Sequence, residues 1–276
     1  MGDSRAIGVF DSGLGGLTVA KRIMEVLPNE NIVYFGDTGR VPYGTKGIET
    51  IKKYAAEDEE FLLSQNVKMI VAACGTVSSV AADTGKNLPV PFVEVISHAV
   101  KDAVRVSQNK KIGVLATPAT IKSHTHKNLI LSACPEAVVV ETAAPLLVSL
   151  AEEGWFEPDN KIARLTVEKY LSDMRAAKVD TLILGCTHFP VFKDLILSVF
   201  PGVNLIDMGV SAANYIKEVL KGTDAANGEG LPSTYKFFAS DKPVTFEKTV
   251  KIFLGDCAKD IKIDLVDLEK YERRNN

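Results

Sequence analysis

Two segments of this chain are built alike, and each ends on a cysteine. They are Met69-Ile70-Val71-Ala72-Ala73-Cys74-Gly75-Thr76 and Thr181-Leu182-Ile183-Leu184-Gly185-Cys186-Thr187-His188. Each runs apolar, then small, then Cys, then small or polar. A short apolar run between helical patterns predicts a strand buried on both faces of a parallel sheet. The cysteines then fall at the carboxyl ends of two strands, where open α/β sheets place ligands. A second matched pair supports a duplication. Ile7-Gly8-Val9 and Ile112-Gly113-Val114 stand 105 positions apart, and the cysteines stand 112 apart. Like elements in the same order at a similar offset predict two pseudo-symmetric α/β halves.

The rest of the chain alternates in the same way. Strands are expected at Ile7–Phe10, Asn31–Gly36, Met69–Ala73 and Pro91–Val95, then at Ile112–Ala116, Ala137–Glu141, Thr181–Leu184 and Val203–Ile206. Helical patterns fill Thr18–Val26, Thr45–Gln65, Val77–Leu88, Ser97–Val106, Thr120–Ser132, Pro145–Glu153, Lys161–Ala177 and Gly209–Lys221. A Gly-rich loop is expected over Gly222–Ser233, and Tyr235–Val266 is expected to pack back on the first half. Repeated βα units predict mainly parallel sheets with helices on both faces.

Composition excludes several classes. Lys plus Arg number 32 against 35 Asp plus Glu, for a net charge of −3, so nothing marks a nucleic-acid surface. No apolar run approaches the roughly 20 residues of a membrane span, and no signal-peptide h-region opens the chain. Four cysteines in 276 residues fit a reducing cytoplasm rather than a disulfide framework.

Asp11-Ser12-Gly13-Leu14-Gly15-Gly16-Leu17-Thr18 follows the first strand. Its third fingerprint glycine would fall at Thr18, so a dinucleotide loop is incomplete, and no Gly-Lys-Ser/Thr makes it a P-loop. The alternatives are a tight strand–helix turn and a nest of backbone N–H groups suited to a carboxylate. Cys134 and Cys257 lie outside the repeated context and read as small hydrophobes. Cys186 with His188 invites a zinc reading, but no second pair of ligands has the spacing. A Cys–His acyl-transfer nucleophile would use one thiol and leave the other unexplained. Two opposed thiols suit proton exchange at a stereocentre, one removing a proton from one face of a carbon and the other returning one to the opposite face.

At these residues the chain resembles the glutamate racemase family of the aspartate/glutamate racemase superfamily. The likeness rests on Gly8–Gly16, Tyr34–Thr38, Val41–Gly44, Ala73–Thr76, Gly113–Thr117, Leu184–Pro190 and, near the end, Phe237–Gly255. The resemblance implies two α/β domains with the active site between them, here 1-97 plus 210-276 (carrying Cys74) and 98-209 (carrying Cys186). It implies interconversion of L- and D-glutamate without cofactor or metal, the D-isomer feeding peptidoglycan synthesis in the bacterial cytoplasm, and a homodimer with no nucleic-acid or membrane partner. Cys74 and Cys186 are then the acid/base pair, assisted by Asp11, His188 and Glu152. Substrate contacts map to Asp11, Ser12, Pro42, Tyr43, Gly44, Gly75, Thr76, Thr120, Thr187 and His188. The alternatives are a racemase for aspartate or another amino acid, a Cys-dependent hydrolase or lyase on the same fold, and a non-catalytic amino-acid-binding protein.

One position departs from the family pattern. The usual Cys-Asn-Thr is here Cys74-Gly75-Thr76. An Asn would offer a carboxylate one more donor, so Gly75→Asn is expected to lower KM more than it changes kcat.

Overall fold

The computed structural model describes residues 2–228, 233–242, 246–258 and 261–271. Part of the loop expected over 222–233, part of the late likeness at 237–255, and the end of the expected first domain lie outside the described residues. The strands are β1 (Ile7–Asp11), β2 (Ile32–Gly36), β3 (Met69–Ala72), β4 (Phe92–Glu94), β5 (Lys111–Ala116), β6 (Val138–Ala143), β7 (Thr181–Gly185), β8 (Asn204–Asp207), β9 (Tyr235–Ala239) and β10 (Ile263–Leu265). The helices are α1 (Leu17–Val26), α2 (Ile48–Ser64), α3 (Gly75–Val80), α4 (Ile96–Val106), α5 (Pro118–Ser123), α6 (Thr125–Ala133), α7 (Pro145–Glu153), α8 (Lys161–Ala176), α9 (Lys193–Val199), α10 (Met208–Gly222) and α11 (Phe246–Leu254).

The strands form two sheets, ordered β10-β9-β2-β1-β3-β4 and β6-β5-β7-β8, and every described pairing is parallel. The second order repeats the last four strands of the first. β5 stands for β1, β6 for β2, β7 for β3 and β8 for β4, and the first sheet adds β9 and β10 at its edge. The matched offset of the two Ile-Gly-Val runs is thus a matched topology. β1 lies between β2 and β3, with Phe10 opposite both Phe35 and Ala72, and β5 lies between β6 and β7 in the same way. In each sheet the chain steps to one side of the first strand and then crosses to the other. The crevice at that reversal, beyond the carboxyl ends, is where such sheets bind ligands.

The central strands are all-apolar or small because both faces are covered. β1, β2, β3 and β7 are buried at every residue. One apolar cluster joins the second sheet to a face of the first, and a smaller one, with Phe10, Phe35, Phe61 and Ile70, fills the other face beneath α2.

Several elements differ from the sequence expectation. The helix expected over Thr120–Ser132 is two helices, broken at His124, whose φ is +52°. His is one of the residues that tolerate that region, and its ring bonds Glu141 at 2.7 Å. The helix expected over Val77–Leu88 stops at Val80 and continues as 3₁₀ turns at Ala82–Asn87. There Gly85 sits so close to the Phe92 ring that a Cβ would come within 2.2 Å of it. The helix expected from Thr45 begins at Ile48 after a 3₁₀ turn at Tyr43–Thr45. α9 has no counterpart in the sequence expectation, although Leu195, Ile196 and Val199 form its buried stripe and continue that of Phe189 and Phe192 in the preceding 3₁₀ turn.

Candidate active site

The Gly-rich turn, the two cysteine turns and the segment around Gly44 meet at the carboxyl ends of the two sheets. Glycines mark how close the approach is. A Cβ at Gly75 would stand 2.7 Å from the Gly185 carbonyl oxygen, so the two cysteine-bearing turns abut through their backbones. A Cβ at Gly15 would stand 2.5 Å from both Thr187 Oγ1 and His188 Cε1, so the first Gly-rich turn also lies against the second cysteine turn.

The two thiols have different surroundings. Cys74 is 4% exposed at the N-cap of α3, and its Sγ lies 3.5 Å from Ser12 Oγ. Burial, with the neighbouring Asp11 charge, pushes this thiol up to about 12, against the smaller pull of the Ser12 hydroxyl. Cys186 is 7% exposed, and its Sγ lies 3.6 Å from His188 Nδ1. His188 Nε2 lies 3.2 Å from Glu152 Oε1 on α7, and Phe253 of α11 sets its ring edge-on to the imidazole. Burial alone would lower the imidazole. The bonds to Cys186 and Glu152, with their charges, outweigh it and carry His188 up to about 10. One thiol is thus held neutral, and the other lies beside an imidazolium.

Asp11 ends β1 and is 1% exposed. Its Oδ2 accepts from Gly13 N at 3.0 Å, and its Oδ1 has no hydrogen-bond partner among the described residues. Burial raises this carboxyl above the usual range, while the His188 charge and the N–H groups of Gly16, Gly13 and Ser12 pull the other way. The Gly13 N–H is thus taken by the chain's own carboxylate, which favours the alternative of a tight strand–helix turn over a nest free for a ligand carboxylate.

The opposite wall is made of hydroxyls. Thr76 Oγ1 lies 3.4 Å from Thr117 Oγ1, which bonds Thr120 Oγ1 at 3.0 Å, and Gly44 lies against both Thr76 and Thr117. Thr117 was missed in the sequence reading. The repeat carried the signal, because Thr117 stands 105 positions after Ser12, as Ile112 does after Ile7. Tyr43 is buried, but its hydroxyl does not serve this wall. It donates to Asp37 and lies 3.0 Å from Asp58, inside a cluster where Arg40 also binds Asp37, Glu57 and Asp58. The Pro42-Tyr43-Gly44 segment borders the hydroxyls at Gly44.

Gly75 has no room for the side chain expected to improve it. An Asn there would require the Gly185 carbonyl to move, which argues against the expected lowering of KM. Cys134 is buried, as read, but Cys257 is exposed. Among the described residues no three His, Cys, Asp or Glu are gathered as a metal ion would need, and no helix is long and apolar enough to cross a membrane.

Two matched cysteine turns on a duplicated parallel α/β fold mark the site, and comparison with known proteins gives the family. Residues 7–216 match the model of the Asp/Glu/hydantoin racemase family. The chain is 44% identical over 251 residues to the glutamate racemase of Syntrophus aciditrophicus, covering 90% of this chain and 92% of that one. The crystal structure of glutamate racemase from Francisella tularensis with D-glutamate is similar, with TM-score 0.88, 37% identity and coverage of 98% and 100%. So is that from Thermus thermophilus with β-chloro-D-alanine, with TM-score 0.86, 36% identity and coverage of 98% and 100%. This chain belongs to the Asp/Glu/hydantoin racemase family.

Proposed function

We propose that this protein is a glutamate racemase that interconverts L- and D-glutamate with Cys74 and Cys186 as its acid/base pair and with no cofactor. The observation that carries the reading is the pairing of like thiols in unlike surroundings on matched strands, Cys74 beside Ser12 and Cys186 beside His188. With His188 protonated beside it, Cys186 is suited to act as thiolate and take the Cα proton. Cys74, held neutral by burial, is suited to give its own proton to the opposite face. The product then leaves Cys186 as thiol and Cys74 as thiolate, the form suited to the reverse reaction. Asp11 Oδ1, a buried acceptor in need of a donor, suits the substrate ammonium. The Thr76, Thr117 and Thr120 hydroxyls with the Gly44 turn suit a carboxylate. Exclusion of water strengthens each of these contacts.

The same reading divides the chain into 1–97 with 210–276, and 98–209, one sheet in each. It makes the enzyme a cytoplasmic homodimer supplying D-glutamate to peptidoglycan synthesis. The test is L-glutamate in heavy water without added cofactor. Deuterium entry at Cα together with D-glutamate formation is expected. Neither change, from protein that is folded by circular dichroism, would overturn the proposal.

A further inference from the structure

Thr18 stands in the first turn of α1, and its side chain is buried. Its Oγ1 lies 2.8 Å from the Thr187 carbonyl oxygen and 2.9 Å from the Gly15 carbonyl oxygen. One hydroxyl thus ties the Gly-rich turn after β1 to the cysteine turn after β7, across 169 positions of sequence. The cysteine turn has a particular need for that donor. Three residues beyond Thr187 stands Pro190, which has no N–H to close a 3₁₀ bond on that carbonyl. The carbonyl belongs to the peptide that joins Thr187 to His188. Its direction therefore sets where the His188 side chain leaves the backbone. The imidazole must reach Cys186 Sγ with one nitrogen and Glu152 with the other, at 3.6 and 3.2 Å. Gly15 leaves no slack on the remaining side, because even a Cβ there would strike the ring.

We infer that Thr18 is a positioning residue for proton transfer: its hydroxyl fixes the Thr187–His188 peptide and so aims the imidazole at the Cys186 thiol. It touches no reacting atom and acts only through His188. The inference rests on Cys186 being one of the two acid/base groups.

The experiment compares Thr18→Val, which keeps the branched shape and removes the hydroxyl, with Thr18→Ser, which keeps the hydroxyl. Iodoacetamide alkylation of Cys186 and of Cys74 is followed against pH by peptide mass spectrometry, beside steady-state racemisation. In Thr18→Val the alkylation profile of Cys186 moves to higher pH, because a misaimed imidazolium supports the thiolate less. The Cys74 midpoint stays in place. The kcat falls about tenfold, the size of one lost hydrogen bond, with KM within about twofold. Thr18→Ser returns both readouts towards the parent. If Thr18→Val fails to fold, Thr18→Ala carries the same comparison. A Cys186 midpoint unmoved by loss of the hydroxyl overturns the inference. So does a joint movement of both midpoints, which would mean general loosening, or a serine variant as impaired as the valine. Absence of glutamate turnover in the parent protein would overturn the proposed function instead, while the alkylation profile would still report on Thr18.

Discussion

Serine at position 74 or 186 keeps nearly the shape of the thiol and removes its acidity, so these substitutions separate chemistry from packing. Each is expected to lower racemisation by about 10²–10⁴-fold, the usual worth of a positioned acid or base. Each variant retains one working thiol, so it should still remove a proton from one enantiomer of a β-chloro amino acid and expel chloride. Near-parental racemisation by either variant would end the two-thiol reading. Gly75 poses a steric question. A Cβ there meets a backbone carbonyl at 2.7 Å, and a backbone atom cannot rotate away as a side chain can. Gly75→Ala and Gly75→Asn should therefore hold the two cysteine turns apart and raise KM several-fold, in line with the 1–3 kcal/mol typical of overpacking. Steady-state kinetics decide this, and a lower KM in the Asn variant would show that the turns part freely. The departure at Gly75 was legible in the sequence. Its consequence was not, because the obstacle lies 110 positions away at Gly185.

At the scale of elements, what was legible followed from period and burial. Strands covered on both faces are apolar along most of their length, with polar residues confined to their ends, so β1, β3, β5 and β7 stood out as apolar runs and their ends fell within a residue or two of expectation. Helices were found but not their breaks. The break at His124 depends on a side-chain bond to Glu141 in another element, and the change to 3₁₀ after Val80 depends on Phe92 packing on Gly85. Neither is encoded locally. α9 was hidden behind Pro190, which suggests an irregular segment although it stands at the start of a 3₁₀ turn. Among site residues, the thiols and Asp11 could be argued from their places at strand ends. Glu152 and Thr120 came only with the family resemblance, Thr117 was signalled by the repeat, and Thr18 stands out only through its contact across the fold. The Tyr43–Gly44 segment gives an element-scale prediction. Its anchor is the Tyr43 hydroxyl, which serves Asp37 and Asp58 beneath it, and burial together with the Asp37 charge holds the Asp58 carboxyl well above its usual range. Tyr43→Phe leaves buried oxygens short of a donor, at about 1–3 kcal/mol. Tm should fall by several degrees in calorimetry, about 2–4 °C per kcal/mol at this size, and KM should rise as the Gly44 turn loosens. An unchanged Tm would mean that Arg40 alone satisfies the cluster.

For the whole molecule, two histidines set opposite limits on stability against pH. His126 is 1% exposed, and neither ring nitrogen has a partner among the described residues. Burial lowers it from 6.5 to about 4. The unfolded chain therefore binds a proton more readily than the folded one below about 6.5, and stability is lost as pH falls from there towards 4. His188 has the opposite sign. Burial works against its charge, but Cys186 and Glu152 raise it to about 10, so the folded chain holds the proton more tightly. That contribution is fully present below 6.5 and is lost as pH rises towards 10. At about 1.4 kcal/mol per pH unit, each effect amounts to a few kcal/mol at its limit. The two together place their combined optimum near pH 6.5, between a core that must stay neutral and a site that must stay charged. Other buried groups such as Asp11 also titrate, so the test uses differences between variants. Urea unfolding of the parent, His126→Leu and Glu152→Gln at pH 5, 6.5 and 9 should show the acid-side loss shrinking only in His126→Leu and the alkaline-side loss shrinking only in Glu152→Gln. If both variants follow the parent at every pH, neither histidine governs the profile. The charge on the imidazole would then have to be held by other groups in the site.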